Sequence, residues 1–109
     1  MKLPNGDRAI VDIAKLTDYC LNPHHPRGRN KARVFAAIGI GQSDAEKLRS
    51  ALLAAAAAAE ATSGDEDLFG QRYTIDFDLT VNDRVVKIRS SWMLRTAEEL
   101  PRLTTCYVL

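Results

Sequence analysis

Hydrophobic and polar positions follow two rhythms along the chain, and the rhythm changes after the first sixty residues. In the first part apolar residues recur at spacings of three and four. Ile13, Leu16 and Cys20 make one helical face behind Asp12, a suitable N-cap. Asn22-Pro23 ends that helix, because proline disfavours the helical conformation in the residue before it. Ahead of it, residues 3–8 read as a turn around Asn5-Gly6, and Ala9 to Val11 as a short extended piece. A second helix is predicted from about Asn30 to Ile38. Lys31 and Phe35, and Val34 and Ile38, are its i,i+4 pairs, and Gly39 is its C′ residue. Ser43-Asp44-Ala45-Glu46 has the form of a capping box opening a third helix. The stripe of that helix is Leu48, Leu52, Ala55 and Ala59, and its alanine tract favours helix over linker. Thr62 to Gly64 and the acidic run Asp65 to Asp67 are expected to end it.

From Tyr73 the period becomes two. Tyr73, Ile75, Phe77 and Leu79 alternate with Thr74, Asp76, Asp78 and Thr80. Residues 81–84 form the turn. Val86, Ile88, Ser90, Trp92 and Leu94 then alternate with Lys87, Arg89, Ser91 and Met93. After a connection over 96–101, Leu103 to Leu109 is the last strand. Simple alternation groups Leu103, Thr105 and Tyr107 on one side, with Thr104, Cys106 and Val108 on the other, and the more polar set is expected outward. Short links between sequential strands predict an antiparallel meander. The fold class is therefore α+β: N-terminal helices on one face of a small antiparallel sheet of three to four strands, as a single domain over 1–109.

Composition narrows the function classes without naming one. The 109 residues are 46% hydrophobic and 27% charged, an ordinary globular balance. The longest apolar run, within Ala51 to Ala59, is about half what a bilayer requires. No basic-then-apolar leader stands at the start, so the expectation is a cytoplasmic protein with no membrane association. Cys20 and Cys106 are far apart in sequence and have no partner at metal-ligand spacing. They are expected as two free thiols packed like small hydrophobes, with no metal and no cofactor implied.

The net charge of +1 conceals segregation. Residues 1–42 sum to +4, residues 43–83 to −6 and residues 84–109 to +3. If the basic thirds meet in space they form a positive surface against an acidic back; otherwise the thirds pair with one another as surface salt bridges. The sharpest local signal is HHPRGRNKAR, residues 24–33, with four fixed cations, two histidines and no carboxylate. Arg27, Arg29 and Lys31 fall at the start of a predicted helix, where the helix dipole disfavours cations. An anion held by helix-start N–H groups and guanidiniums would justify them there. His24 and His25 offer proton transfer near neutral pH, or simply loop packing. A cationic, histidine-bearing loop beside a polar sheet face resembles sites for metal-independent phosphodiester cleavage. In RNA the 2′-hydroxyl is the built-in nucleophile, and the protein supplies acid–base groups and cations around the phosphorane.

On these residues the chain resembles an uncharacterised bacterial domain family. Its marks are a leucine-rich first helix (here residues 16–21), Asn-Pro-x-His-Pro-x-Gly (NPHHPRG, 22–28), Lys-Ala-x-x-Phe (KARVF, 31–35) and Pro-Arg-Leu-x-Thr-x-Tyr (PRLTTCY, 101–107). Members of that family occur as stand-alone proteins and as C-terminal modules of secreted toxins. The resemblance thus implies toxin–antitoxin or polymorphic-toxin biology. The layout is also similar to the barnase–EndoU–colicin–RelE superfamily of ribonucleases, an analogy of fold alone. Carried over by position, it implies His25, Lys31, Arg89, Thr105 and Tyr107 as catalytic groups. His24, Arg27, Arg29, Arg33 and Arg102 are then substrate-binding groups. Asn30 stands where relatives often carry histidine, which leaves His24 or Tyr107 to supply a second proton-transfer group. The expected function is a metal-independent endoribonuclease toxin acting on RNA, with a cognate antitoxin or immunity protein as partner. The alternative is a non-catalytic antitoxin, immunity-like or RNA-binding protein that uses the same basic loop.

Overall fold

A computed structural model describes all of residues 1–109. Two helices, α1 (Arg29–Ala37) and α2 (Ala45–Ala58), precede four strands. The strands are β1 (Thr62–Asp67), β2 (Gly70–Val81), β3 (Arg84–Arg95) and β4 (Arg102–Val108). They pair in sequence order, each antiparallel to the next. The α+β class and the meander follow the two hydrophobic periods. α1 packs on β4 and α2 on β2. Between helices and sheet lies one core, where Leu16, Cys20, Phe35, Leu48 and Leu52 meet Ile75, Ile88, Trp92, Leu103 and Cys106. No helix is long and apolar enough to cross a membrane.

The central strands alternate as their sequence predicts. Tyr73, Ile75, Ile88, Ser90 and Trp92 are buried, whereas Asp76, Asp78, Lys87, Arg89 and Ser91 stay exposed or half-buried on the other face. Ser90 is the one buried polar side chain in this layer, and its hydroxyl is fully used. It accepts from Trp92 Nε1–H at 2.9 Å and donates to the Ile75 carbonyl at 2.8 Å. The β2–β3 hairpin turns at Asn82 and Asp83, with φ of 49° and 66°. Two consecutive positive φ values match the right-handed twist of the flanking strands, and Asn and Asp tolerate them.

The first helical segment starts as expected, with Ala14 N–H donating to Asp12 Oδ1 at 3.0 Å. It then widens: Leu16–Cys20 is a π-helical turn in which Leu21 N–H donates to the Leu16 carbonyl at 2.8 Å. Such turns add a residue to the helical circuit and recur at functional sites. Gly39 closes α1 with φ of 93°, as its predicted C′ role requires.

Three sequence expectations are corrected. The acidic run does not end a helix as a turn; Thr62–Asp67 is an edge strand with all six residues exposed. It forms because β2 extends back to Gly70 and offers it a hydrogen-bonding edge. Gln71 Nε2 donates to the Gly64 carbonyl, and Arg72 pairs with Asp67 at 2.8 Å. The capping box at Ser43–Glu46 is replaced by a 3₁₀ turn, Gln42–Asp44, in which Gly41 N–H donates to Asp44 Oδ2 at 2.9 Å. On β4 the alternation breaks. Leu103 pairs opposite Trp92 and Cys106 opposite Ser90, both buried, with a bulge between them. The extra residue lets two positions three apart face the core, so Leu103 does not share a side with Thr105 and Tyr107.

Candidate functional site

The histidine loop is organised by its own residues. Asn22 Oδ1 accepts from His24 N–H at 2.9 Å, and Asn22 O accepts from His25 N–H at 3.3 Å, which sets the turn. His25 then caps the start of α1. Its Nδ1 accepts from both Arg27 N–H and Gly28 N–H at 3.0 Å, and its carbonyl accepts from Arg29 N–H at 2.9 Å. Backbone amides only donate, so Nδ1 is the acceptor and the neutral ring carries its proton on Nε2. His25 thus takes up the Arg27, Gly28 and Arg29 N–H groups, and the Asn30 and Lys31 N–H groups that follow in the first turn of α1 have no acceptor within the protein. This bonding redefines His25. A ring fixed this way offers the groove a donor, Nε2–H, and no free lone pair.

The loop rests on the π-helical turn. The Tyr19 ring meets the His25 ring edge-on, with centroids 4.9 Å apart. Lys31, in the first turn of α1, donates from Nζ to Tyr19 Oη at 3.0 Å and stands 5.0 Å from the ring centroid. Gly28 permits this approach. A Cβ there would lie 2.1 Å from the Tyr19 carbonyl oxygen, so the glycine of the NPHHPRG segment serves close backbone packing.

In front of this cluster a groove of about 530 Å³ runs between the first helical segment, the loop and β4. Asp12, Lys15, Asp18, Tyr19, His25, Arg27 and Thr104 line it. Thr104, the residue of the β4 bulge, also lines two neighbouring depressions. One contains Lys15, Met93, Arg95 and Arg102; the other contains Arg72, Thr74, Ser91 and Met93 on the sheet face. Thr104 is thus the hinge point of a continuous path from the histidine loop onto the open sheet. Lys15 and Arg27 form no ion pair, and neither do Arg29 and Arg33, which stay exposed on the loop and α1. Arg95 and Arg102 share Glu98, at 3.7 and 3.0 Å.

The expected catalytic groups are distributed over the loop, α1 and the last two strands. His25 lines the groove; Lys31 stands behind Tyr19. The Thr105 hydroxyl lies 3.7 Å from the Cys20 Sγ. Arg89 sits on the open face in a bidentate pair with Asp76, both contacts 2.8 Å, beside its cross-strand neighbour Tyr107. The Arg89 guanidinium holds the Asp76 carboxyl below the usual carboxylate range, against partial desolvation. Arg89 in turn is raised, chiefly by Asp76 and then by the Tyr107 hydroxyl. Arg89 lines neither the groove of His25 nor the two depressions that adjoin it. His24 is exposed, and Arg102 lies in the depression adjoining the groove.

Four groove residues, Lys15, Asp18, Tyr19 and Thr104, escape the sequence reading. Lys15, Asp18 and Tyr19 interleave with the apolar face of the first helix, which alone carries the periodic signal. Thr104 is revealed only by the bulge. Behind the groove the buried thiols of Cys20 and Cys106 adjoin each other. The adjoining Cys106 chiefly pulls the Cys20 thiol down, with burial opposing and the Thr105 hydroxyl, 3.7 Å from Sγ, assisting. Cys106 is held up by its sulfur neighbour and by burial.

No group of three or more His, Cys, Asp or Glu side chains is gathered to hold a metal ion. No curated protein and no solved structure matches the chain. A family model does match, over residues 2–109, and the chain therefore belongs to the family described as Domain of unknown function (DUF6883).

Proposed function

We propose that the protein is a metal-independent endoribonuclease that cleaves RNA in the groove beneath the histidine loop. The observation that carries this reading is the meeting of three depressions at Thr104, which joins the cationic loop to the polar sheet face. A strand of RNA lying along that path places a phosphate between Lys15 and Arg27, whose charges are not spent on internal partners. The reaction moves two protons. The 2′-hydroxyl gives its proton to a carboxylate, its oxygen attacks phosphorus, and the P–O5′ bond breaks as the 5′-oxygen gains a proton. Of the two carboxylates in the groove, Asp12 Oδ1 caps the first helical segment. Asp18 Oδ1 accepts only from the neighbouring Thr17 hydroxyl, at 3.2 Å, which makes Asp18 the proton acceptor. His25 Nε2–H donates to a non-bridging oxygen as charge builds there.

Incubation with RNA in EDTA is expected to yield 2′,3′-cyclic phosphate ends, and a DNA strand of the same sequence to stay intact. Intact RNA at high enzyme concentration overturns the reading. We place the activity in a toxin, with a cognate antitoxin or immunity protein as its partner. Expression in a bacterial host should then arrest growth, and Asp18→Asn should relieve the arrest. A second reading, a non-catalytic RNA-binding protein, is favoured by one feature: His25 Nδ1 and Arg89 are both committed to internal partners. RNA binding without cleavage would select it.

A further inference from the structure

The groove holds a proton acceptor and two cations, and His25 supplies a hydrogen bond. What remains unassigned is the proton that the leaving 5′-oxygen must receive. His25 cannot supply it in this geometry. With Nδ1 occupied by two amides, loss of the Nε2 proton would leave an imidazolate.

Resting on the ribonuclease reading, we propose that Tyr19 is the catalytic proton donor and that Lys31 is the positioning residue behind it. Tyr19 lines the groove and reaches it from the π-helical turn that also carries Asp18. Its oxygen accepts from Lys31 Nζ at 3.0 Å. An ammonium has only donors to offer, so the phenol's own hydrogen is turned away from Lys31 and out toward the groove. The edge-on His25 ring fixes the tyrosine plane from the other side. The step balances within the site. As the P–O5′ bond breaks, its electron pair takes the Tyr19 hydroxyl proton, giving a 5′-hydroxyl end and a phenolate. That phenolate faces the Lys31 ammonium, which stabilises it at a distance where opposite charges interact strongly in a partly desolvated site. Solvent then reprotonates Tyr19, and Asp18 releases the proton taken from the 2′-hydroxyl. Lys31 is thereby removed from direct contact with RNA, although the family resemblance had placed it among the catalytic groups.

Tyr19→Phe tests this with little disturbance, because the ring keeps its contacts with His25 and the Lys31 ammonium. It should lower cleavage by about 10²–10⁴-fold, the usual worth of a placed acid, while RNA affinity changes less than about threefold. The decisive substrate carries sulfur in place of the 5′-bridging oxygen. A thiolate leaves without a proton, so Tyr19→Phe should cleave it at nearly the wild-type rate. Lys31→Met should be impaired on the oxygen substrate, be rescued by sulfur, and add nothing when combined with Tyr19→Phe. Equal impairment on both substrates, or a fully active Tyr19→Phe, overturns the assignment of Tyr19 and leaves the ribonuclease reading standing. Additive losses in the double variant overturn the role given to Lys31. Wild-type protein that cleaves neither substrate overturns both the assignment and the ribonuclease reading.

Discussion

Single residues at two places carry more of the structure than their size implies. Gly28 lies so close to the Tyr19 carbonyl that alanine there puts a Cβ 2.1 Å from backbone oxygen, where no side-chain rotation relieves it. Gly28→Ala should cost roughly 1–3 kcal/mol, the range for overpacked sites, and lower the melting temperature. It should also disturb the Tyr19–His25 contact, readable as altered ring shifts in NMR spectra. Ser90 is the second place. Ser90→Ala leaves the Trp92 indole N–H without an acceptor in the core, an orphaned buried donor worth about 1–3 kcal/mol, and chemical denaturation should report that loss. On the open face, the Asp76–Arg89 pair gives a pH signature. A carboxyl whose folded-state pKa is depressed contributes stability that is fully present above its unfolded value, near ~4, and lost as pH falls through the lower folded value. Asp76→Asn should therefore flatten the decline of melting temperature below about pH 4. An unchanged acid limb would mean the pair is fully screened by solvent. At this scale the sequence was informative about which residues matter and less so about their tasks. His25 was visible as a loop histidine with chemical capacity, but its capping of α1 depends on backbone placement that no spacing rule records.

Elements were legible where burial imposes a period and hidden where it does not. β2 and β3 are half-buried, so their side chains declare alternation, and α2 declares its stripe through Leu48 and Leu52. β1 buries nothing, so its six residues carry no periodic signal, and their polarity mimics a turn. The bulge in β4 has the same cause in reverse. One inserted residue shifts the phase, so a single alternating assignment is right for Cys106 and wrong for Leu103. The π-helical turn hides within an ordinary three-and-four spacing, because Ile13, Leu16 and Cys20 satisfy both geometries. These irregular pieces, the widened turn and the bulge, supply Asp18, Tyr19 and Thr104 to the groove, so the candidate site was the least readable part of the molecule. The β1–β2 connection gives an independent check. Leu68 and Phe69 are 91% and 72% exposed, while their carbonyls accept from the Thr96 hydroxyl and N–H. Replacing both side chains with serine should shift stability by no more than about 0.5 kcal/mol each, since backbone bonds and not the side chains hold the connection.

Across the whole molecule the charge segregation seen along the chain becomes a spatial order. The sheet runs from acidic β1 at one edge to β4 at the other, and α1 with its unpaired Arg29 and Arg33 packs beside β4. Three inter-strand steps of about 4.8 Å separate those edges by roughly 14 Å. If the loop arginines contact single-stranded RNA, replacing Arg27, Arg29 and Arg33 together by alanine should flatten the log–log salt dependence of binding by about 0.7 per lost contact. An unchanged slope in a filter-binding titration would place the RNA elsewhere.

The exposed acidic strand has a consequence that concerns travel before contact. A molecule negative at one sheet edge and positive at the other carries a permanent electric moment along the plane of its sheet. The field of an approaching polyanion exerts a torque on it, turning β1 away and the arginine loop forward during diffusion. At physiological salt the screening length, about 8 Å, is shorter than the span between the edges, so the two ends act as separate poles and turning occurs only in the last nanometre of approach. In dilute buffer the whole molecule turns sooner. Neutralising Glu66, which lines none of the three depressions, should then slow low-salt association with RNA even though it makes the protein more positive overall.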